Sequence, residues 1–240
     1  MGEDREHILS RFDDDLNGLR DLALRMGGLV VSLVEKVAQA LLSTDPGLAR
    51  QILHQTKRVN EFDMEGQEEG VRILATHSPV ARDLRLVVCL TRTVLDLEHC
   101  ADQAKKVAEI TLRHAEDHHT PVPGSELFED VDDLTEQAVS MLRQALQAID
   151  ANDIRLAVAV VQADDRLNQM FEGAMRRLAT FLLEDHRTIR WVMDAILALK
   201  AMERVGDHAR NIAEHLIFAV KAKDVRYIKA EHLSEGYLDD

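Results

Sequence analysis

The chain has 240 residues, 46% apolar and 30% charged, with 4 Pro, 11 Gly and a formal net charge of −14. This composition excludes a disordered chain, which carries far less apolar material. The negative charge argues against nucleic acid and against adhesion to anionic lipid, since both need a Lys/Arg surface.

Apolar spacing predicts six long helices and no strand. The first runs from about Arg11 to Leu42, with Leu19, Leu22, Met26, Leu29, Val30, Leu33, Val37 and Leu41 at three-and-four spacing. The N-terminal MGEDREHILSRFDDD ahead of it has no apolar signal core. Gly2 is followed by Glu6 and not by the Ser or Thr of a myristoylation signal. Ser43-Thr44-Asp45-Pro46 ends helix one and starts helix two, with Pro early in the new helix. Helix two reaches about Thr76, where His77-Ser78-Pro79 breaks it, and helix three spans about Val80 to Ala115. The segment from His118 to Ser125, with Pro121, Pro123 and Gly124, reads as a linker. Helix four covers Glu126 to Asp150, and Asn152 is the expected N-cap of helix five, which runs to Asp185. After a break at His186-Arg187-Thr188, helix six runs from Ile189 to Lys223. The acidic tail, 224–240, is expected to fray.

No stretch forms a membrane span of about 18 apolar residues. Cys89 and Cys100 lie on one helix, about 16 Å apart at about 1.5 Å per residue, too far for a disulfide. A reduced, cytoplasmic protein is expected.

The plan of the chain repeats. Asp45-Pro46-Gly47-Leu48-Ala49 matches Asp153-Ile154-Arg155-Leu156-Ala157, and Val59-Asn60 matches Leu167-Asn168. Arg85, Glu98, Asp102, Ala108 and Glu109 match Arg190, Glu203, Asp207, Ala213 and Glu214. Short connections make neighbouring helices antiparallel. The expected fold is therefore all-α, two tandem three-helix bundles related by a pseudo-twofold. The repeats occupy 11–118 and 126–223, and 119–125 joins them.

Glu98-His99-Cys100-Ala101-Asp102 and Glu203-Arg204-Val205-Gly206-Asp207 both read E-x-x-x-D, and Glu109 and Glu214 follow at the same distance. Residues four apart share a helical face, and so do residues eleven apart. An acidic helical row is ordinarily a solvated face. Here the row recurs in register, on an arc continuous with the apolar face formed by Val192, Ile196 and Leu199. Carboxylates near a core need a metal or a cationic partner. Oxygen ligands without Cys suit Mg, Mn, Fe or Ca and tolerate Zn. The metal candidates are Glu98, Asp102, Glu203 and Asp207, with Glu109, Asn211 and Glu214 behind them. Asp164-Asp165 on helix five add acids from a neighbouring helix where the other half has Thr56 and Lys57, which favours a richer second site or a surface accident. Trp191 and Met170, Met175, Met193 and Met202 read as core. Glu116-Asp117-His118-His119 holds the chain's lone E-x-x-H and has no second copy. Phosphate loops and nucleophile elbows are absent.

Three stretches resemble the PhoU family of phosphate-uptake regulators. They are Leu22 with Met26-Gly27-Gly28-Leu29-Val30; Ser78-Pro79-Val80-Ala81-Arg82-Asp83-Leu84-Arg85; and Met202-Glu203-Arg204-Val205-Gly206-Asp207-His208-Ala209-Arg210-Asn211-Ile212-Ala213-Glu214. The resemblance covers about Arg11 to Lys223. It implies two three-helix bundles and a cytoplasmic negative regulator, not an enzyme, that damps phosphate-starvation signalling. Such a regulator couples the phosphate transporter, through its PstB-type ATPase, to a PhoR-type sensor histidine kinase. It also implies multinuclear metal sites, iron or zinc among them, on the E-x-x-x-D motifs. The family often has Ile-Gly where this chain has Cys100-Ala101, and an acid on helix two where this chain has Lys57, with Asp165 as its acidic counterpart. With Gln103 opposite His208 and Lys106 opposite Asn211, the second site, at Glu203 and Asp207, is expected to be the better formed. A homodimer is expected on general grounds. The alternative is a carboxylate-bridged metalloenzyme or metal-storage bundle of ferritin-like character. It is disfavoured because paired E-x-x-H motifs are missing.

Overall fold

The structure is a computed structural model that describes residues 2–116, 126–184 and 189–226, with Ile228 and Leu233. The described residues form six helices and no strand: α1 (Gly2–Ser43), α2 (Pro46–His77), α3 (Ala81–Glu116), α4 (Glu126–Ala151), α5 (Ile154–Glu184) and α6 (Ile189–Lys221). The expected boundaries hold within two residues, except that α1 begins at Gly2 and not near Arg11. The 119–125 linker, the 186–188 break, the end of the E-x-x-H stretch and most of the tail lie outside the described residues.

The two repeats open their second helix with the same device. Thr44 and Asn152 adopt positive φ of 49° and 51° and close the preceding helix. The next residue is the cap. Asp45 Oδ1 accepts from the backbone N–H of Gly47 at 2.8 Å and of Leu48 at 3.1 Å. Asp153 Oδ1 accepts from Arg155 N at 2.7 Å and Leu156 N at 3.3 Å. The cap of α5 is thus Asp153, not Asn152 as expected. Asn tolerates the left-handed conformation that the turn needs, so it takes the closing position and leaves capping to the aspartate. Asp153→Ala is expected to cost about 1 kcal/mol, a Tm drop of about 2–4 °C by calorimetry.

α2 packs on α1 and α3, and α5 packs on α4 and α6. The bundles meet through α3 against α6 and α1 against α4, so one continuous apolar core crosses both. Contacts along α3 and α6 run in opposite senses. Arg85 Nε donates to the Ala219 carbonyl at 3.0 Å, near the start of α3 and the end of α6. At the other end Asp194 accepts from Arg113 at 2.8 Å and pairs with His114 at 2.9 Å. Between them the Cys100 thiol lies 3.9 Å from the Val205 carbonyl. The antiparallel crossing therefore sets the centres of the two E-x-x-x-D motifs side by side.

One helical stretch, Ser10–Ser43, holds an 18-residue window of mean hydropathy 1.3, long and apolar enough to cross a membrane by length and composition alone. Its apolar residues Leu19, Leu22, Met26, Leu33 and Val37 are buried against the other helices, which accounts for the hydropathy. Among the described residues of the tail, Val225 and Leu233 are buried in the core. Trp191 and Met202 are buried as expected, whereas Met193 is 52% exposed. Both cysteines are free and buried. Burial pushes the Cys89 thiol up to about 12 and the Cys100 thiol well above its ordinary value.

Candidate metal centre

The second motif faces α5. Asp207 and Glu203 lie one turn apart on α6, and Asp164 of α5 acts on Asp207 from across the helix pair. Burial, then the charges of Glu203 and Asp164, raise the Asp207 carboxyl to about 6, against the opposing pull of Lys200 and His208. Cations reach only part of this group. Lys200 Nζ donates to Glu203 Oε1 at 2.6 Å, and Arg210 bridges Asp164 Oδ2 at 2.9 Å and Glu214 Oε1 at 2.8 Å. Asn168 Nδ2 donates to Asp164 Oδ2 at 3.2 Å. The remaining oxygens, Glu203 Oε2 and Asp164 Oδ1, are buried without any hydrogen-bond partner. Two orphaned carboxylate oxygens beside a carboxyl that resists ionisation are what a hard divalent cation satisfies. The orphaned oxygens fit a cation in their chemistry, whereas the described acids and histidines whose ligand atoms lie within 4.8 Å of one another are Asp96, His99 and His208.

The first motif is built differently. Burial raises the pKa of Glu98, followed by the charges of Asp102 and, from α2, Asp63, while His99 and Lys105 oppose. Its third acid is thus Asp63, where the repeat has Phe171. The second site draws on Asp164, where the repeat has Thr56. Lys57 and Asp165, whose exchange was expected to distinguish the sites, are both exposed. Asp164, one residue earlier, is the acid turned inward, at 2% exposure. Lys105, the counterpart of Arg210, is exposed as well. The first site lacks an equivalent of the Arg210 bridge among the described contacts.

The remaining candidates separate. Glu109 is exposed on α3, whereas Glu214 is buried and paired to Arg210. Eleven residues are about 16 Å along a helix, so sharing a face does not let Glu98 and Glu109 share an ion. Asn211 turns to α3, donating to Asp96 Oδ1 at 3.3 Å.

Asp96 is the residue that the motif pattern did not single out. It is buried on α3 and faces α6, where His208 Nδ1 lies 2.8 Å from Oδ1 and His215 Nε2 lies 3.0 Å from Oδ2. Burial works against its ionisation, but the His208, His215 and Asn211 contacts outweigh that and hold it at about 2. Its repeat counterpart is Ala201, so a comparison of the two halves would have marked it as an unmatched acid. Beside it, between the motifs, opens a cleft of about 740 Å³ lined by His99, Asp102, Asp207, His208, Arg210 and Arg226, among others.

Comparison with known proteins adds to this geometry. The PhoU domain matches the chain twice, over residues 23–111 and 131–216. The chain belongs to the PhoU family. It is 38% identical over 229 residues to the phosphate-specific transport system accessory protein PhoU homolog of Pseudomonas aeruginosa, covering 95% of this chain and 93% of that protein. It is 32% identical over 230 residues to the PhoU of that name from Escherichia coli K12, covering 96% and 93%. The crystal structure of PhoU from Pseudomonas aeruginosa superposes with a TM-score of 0.82 at 37% identity, over 88% of this chain and 100% of that one. PhoU from Streptococcus pneumoniae, at 24% identity, shares the fold with a TM-score of 0.79, over 89% and 99%.

In this PhoU-family chain the motif glycine has a packing role. A Cβ on Gly206 would lie 2.0 Å from Leu167 Cδ2, and Leu167 is fully buried. The other repeat holds Ala101 and Val59 at these positions, both buried, trading volume from one helix to the other. Gly206→Ala is expected to lose about 1–2 kcal/mol, as the overpacking cost exceeds the gain in helix propensity. Adding Leu167→Val should restore most of it, read by urea denaturation of both variants.

Proposed function

We propose that the chain is a cytoplasmic negative regulator of phosphate uptake and phosphate-starvation signalling. It acts as an adaptor between the ATPase of the phosphate transporter (PstB-type) and a sensor histidine kinase (PhoR-type). The observation that carries this reading is likeness over nearly the whole chain to proteins named as accessory to phosphate-specific transport. The role is non-catalytic, and the chain works as a homodimer.

A metal belongs to this reading, held by Glu203, Asp207 and Asp164 and more weakly by Glu98, Asp102 and Asp63. The orphaned oxygens Glu203 Oε2 and Asp164 Oδ1 support it. The donor chemistry suits Fe, Mn or Mg and admits Zn. A metal held there would supply positive charge to the carboxylates that α5 and α6 set against each other. Lys200 and Arg210 neutralise the oxygens that it leaves, and the Leu167–Gly206 contact fixes the distance between the helices.

The test is affinity capture with the full chain on detergent-solubilised membranes from phosphate-replete cells of the source organism, with proteins identified by mass spectrometry. Recovery of the transporter ATPase and a histidine kinase is expected. Recovery of neither overturns the adaptor reading.

A further inference from the structure

Asp96, His99 and His208 form a cluster that the carboxylate rows do not use. Each offers one ligand atom, and these atoms all lie within 4.8 Å of one another. They come from both bundles, Asp96 and His99 on α3 and His208 on α6, at the antiparallel crossing. The His99 and His208 rings are 5.1 Å apart between centroids, and both line the cleft between the motifs.

We propose that these three side chains are a separate binding site for a late first-row divalent cation of the zinc class, with its fourth position open to the cleft. Two imidazoles and one carboxylate suit such an ion better than the all-oxygen rows do. Bonds of about 2.0–2.1 Å place tetrahedral ligand atoms about 3.4 Å apart; Asp96 Oδ1 and His208 Nδ1, at 2.8 Å, are already within that reach, so it is His99 that must close on them. His99 can supply that motion. Its side chain is 45% exposed, and its nearest acid, Glu98, is 3.9 Å away. Asp96 and His208 are already set: Oδ1 faces His208 Nδ1, while Oδ2 is held by His215 Nε2 at 3.0 Å. An outer partner on the second carboxylate oxygen is the usual support of a metal-binding acid.

The pseudo-twofold does not generate a second copy. Ala201, Arg204 and Gln103 stand where Asp96, His99 and His208 would fall. The site is therefore single, and it joins the two repeats where the carboxylate sites each lie within one. It does not depend on metal at Glu203 and Asp207.

Cobalt(II) titration of the chelator-treated full chain tests this, because nitrogen-ligated four- or five-coordinate cobalt absorbs far more strongly in the visible than octahedral cobalt on oxygen ligands. The wild type should show a strong d–d band saturating at one equivalent and bleached by zinc. His99→Ala, at an exposed position that folding tolerates, and His208→Gln should each lose the band. Asp96→Asn should weaken cobalt binding about 10- to 100-fold. Glu203→Gln/Asp207→Asn should keep the band. A wild type without the band, a band that persists in His99→Ala, or one lost only in the carboxylate variant would each overturn the proposal.

Discussion

Arg210→Met is expected to destabilise the protein by about 2–4 kcal/mol. Its guanidinium carries the charge balance of two buried carboxylates, Asp164 at 2% and Glu214 at 5% exposure. Burial opposes the charged form, but the Glu214 and Asp164 contacts outweigh it and raise the Arg210 pKa above its ordinary value. Breaking a buried pair strands uncompensated charge and costs about 3–5 kcal/mol. Arg210 is itself 31% exposed, so solvent screening lowers that figure. Chemical denaturation should show the loss with an unchanged m-value. Adding Asp164→Asn should recover part of it, because the two sites share a contact. Lys105→Met, at the exposed counterpart, should stay within about 0.5 kcal/mol. Equal effects at Lys105 and Arg210 would mean that the halves are not electrostatically distinct.

Asp207→Asn is expected to stabilise the metal-free protein near neutral pH. The folded carboxyl is raised from its ordinary 3.8 to about 6. Between those values the native state holds more protons than the unfolded state, so stability falls as pH rises through the window. That difference corresponds to at most about 3 kcal/mol, and partial exposure reduces it to about 1–2 kcal/mol. The variant removes this charge. Its advantage over wild type should be absent near pH 4, grow up to pH 6 and level off above it. Saturating divalent cation should reverse the order, since only wild type then gains binding energy in the folded state. Denaturation series with chelator and with manganese check both signs. A variant less stable than wild type in chelator at pH 7 would contradict the raised carboxyl.

Six helices, the repeat and the motif rows were legible because each has a period: 3.6 residues for the helix faces, and matching offsets from Asp45 to Asp153 and from Glu98 to Glu203. The repeat offset also pointed to helix five, where Asp164-Asp165 stand against Thr56 and Lys57 in the other half. Of that pair the structure turns Asp164 inward and leaves Asp165 and Lys57 exposed, and it adds Asp63, where the other half has Phe171. One residue along a helix turns a side chain by about 100°, which an offset between repeats does not resolve without the neighbouring helix. Asp96 was hidden for a related reason. Its partners His208 and His215 come from the other bundle, and no local pattern encodes that crossing. Glu109 shares a face with Glu98, but position along the axis, not the face alone, decides whether two acids can share an ion. The Asp153 cap escaped notice because Asn152 offers the same chemistry one position earlier.

Elemental analysis of the full chain, purified without chelator and set beside Glu203→Gln/Asp207→Asn, tests the carboxylate centre most directly. Wild type should carry iron, manganese or zinc, and the variant should carry at least one ion fewer per chain while remaining folded by circular dichroism. Equal metal content in the two proteins, or wild type free of metal, would contradict it.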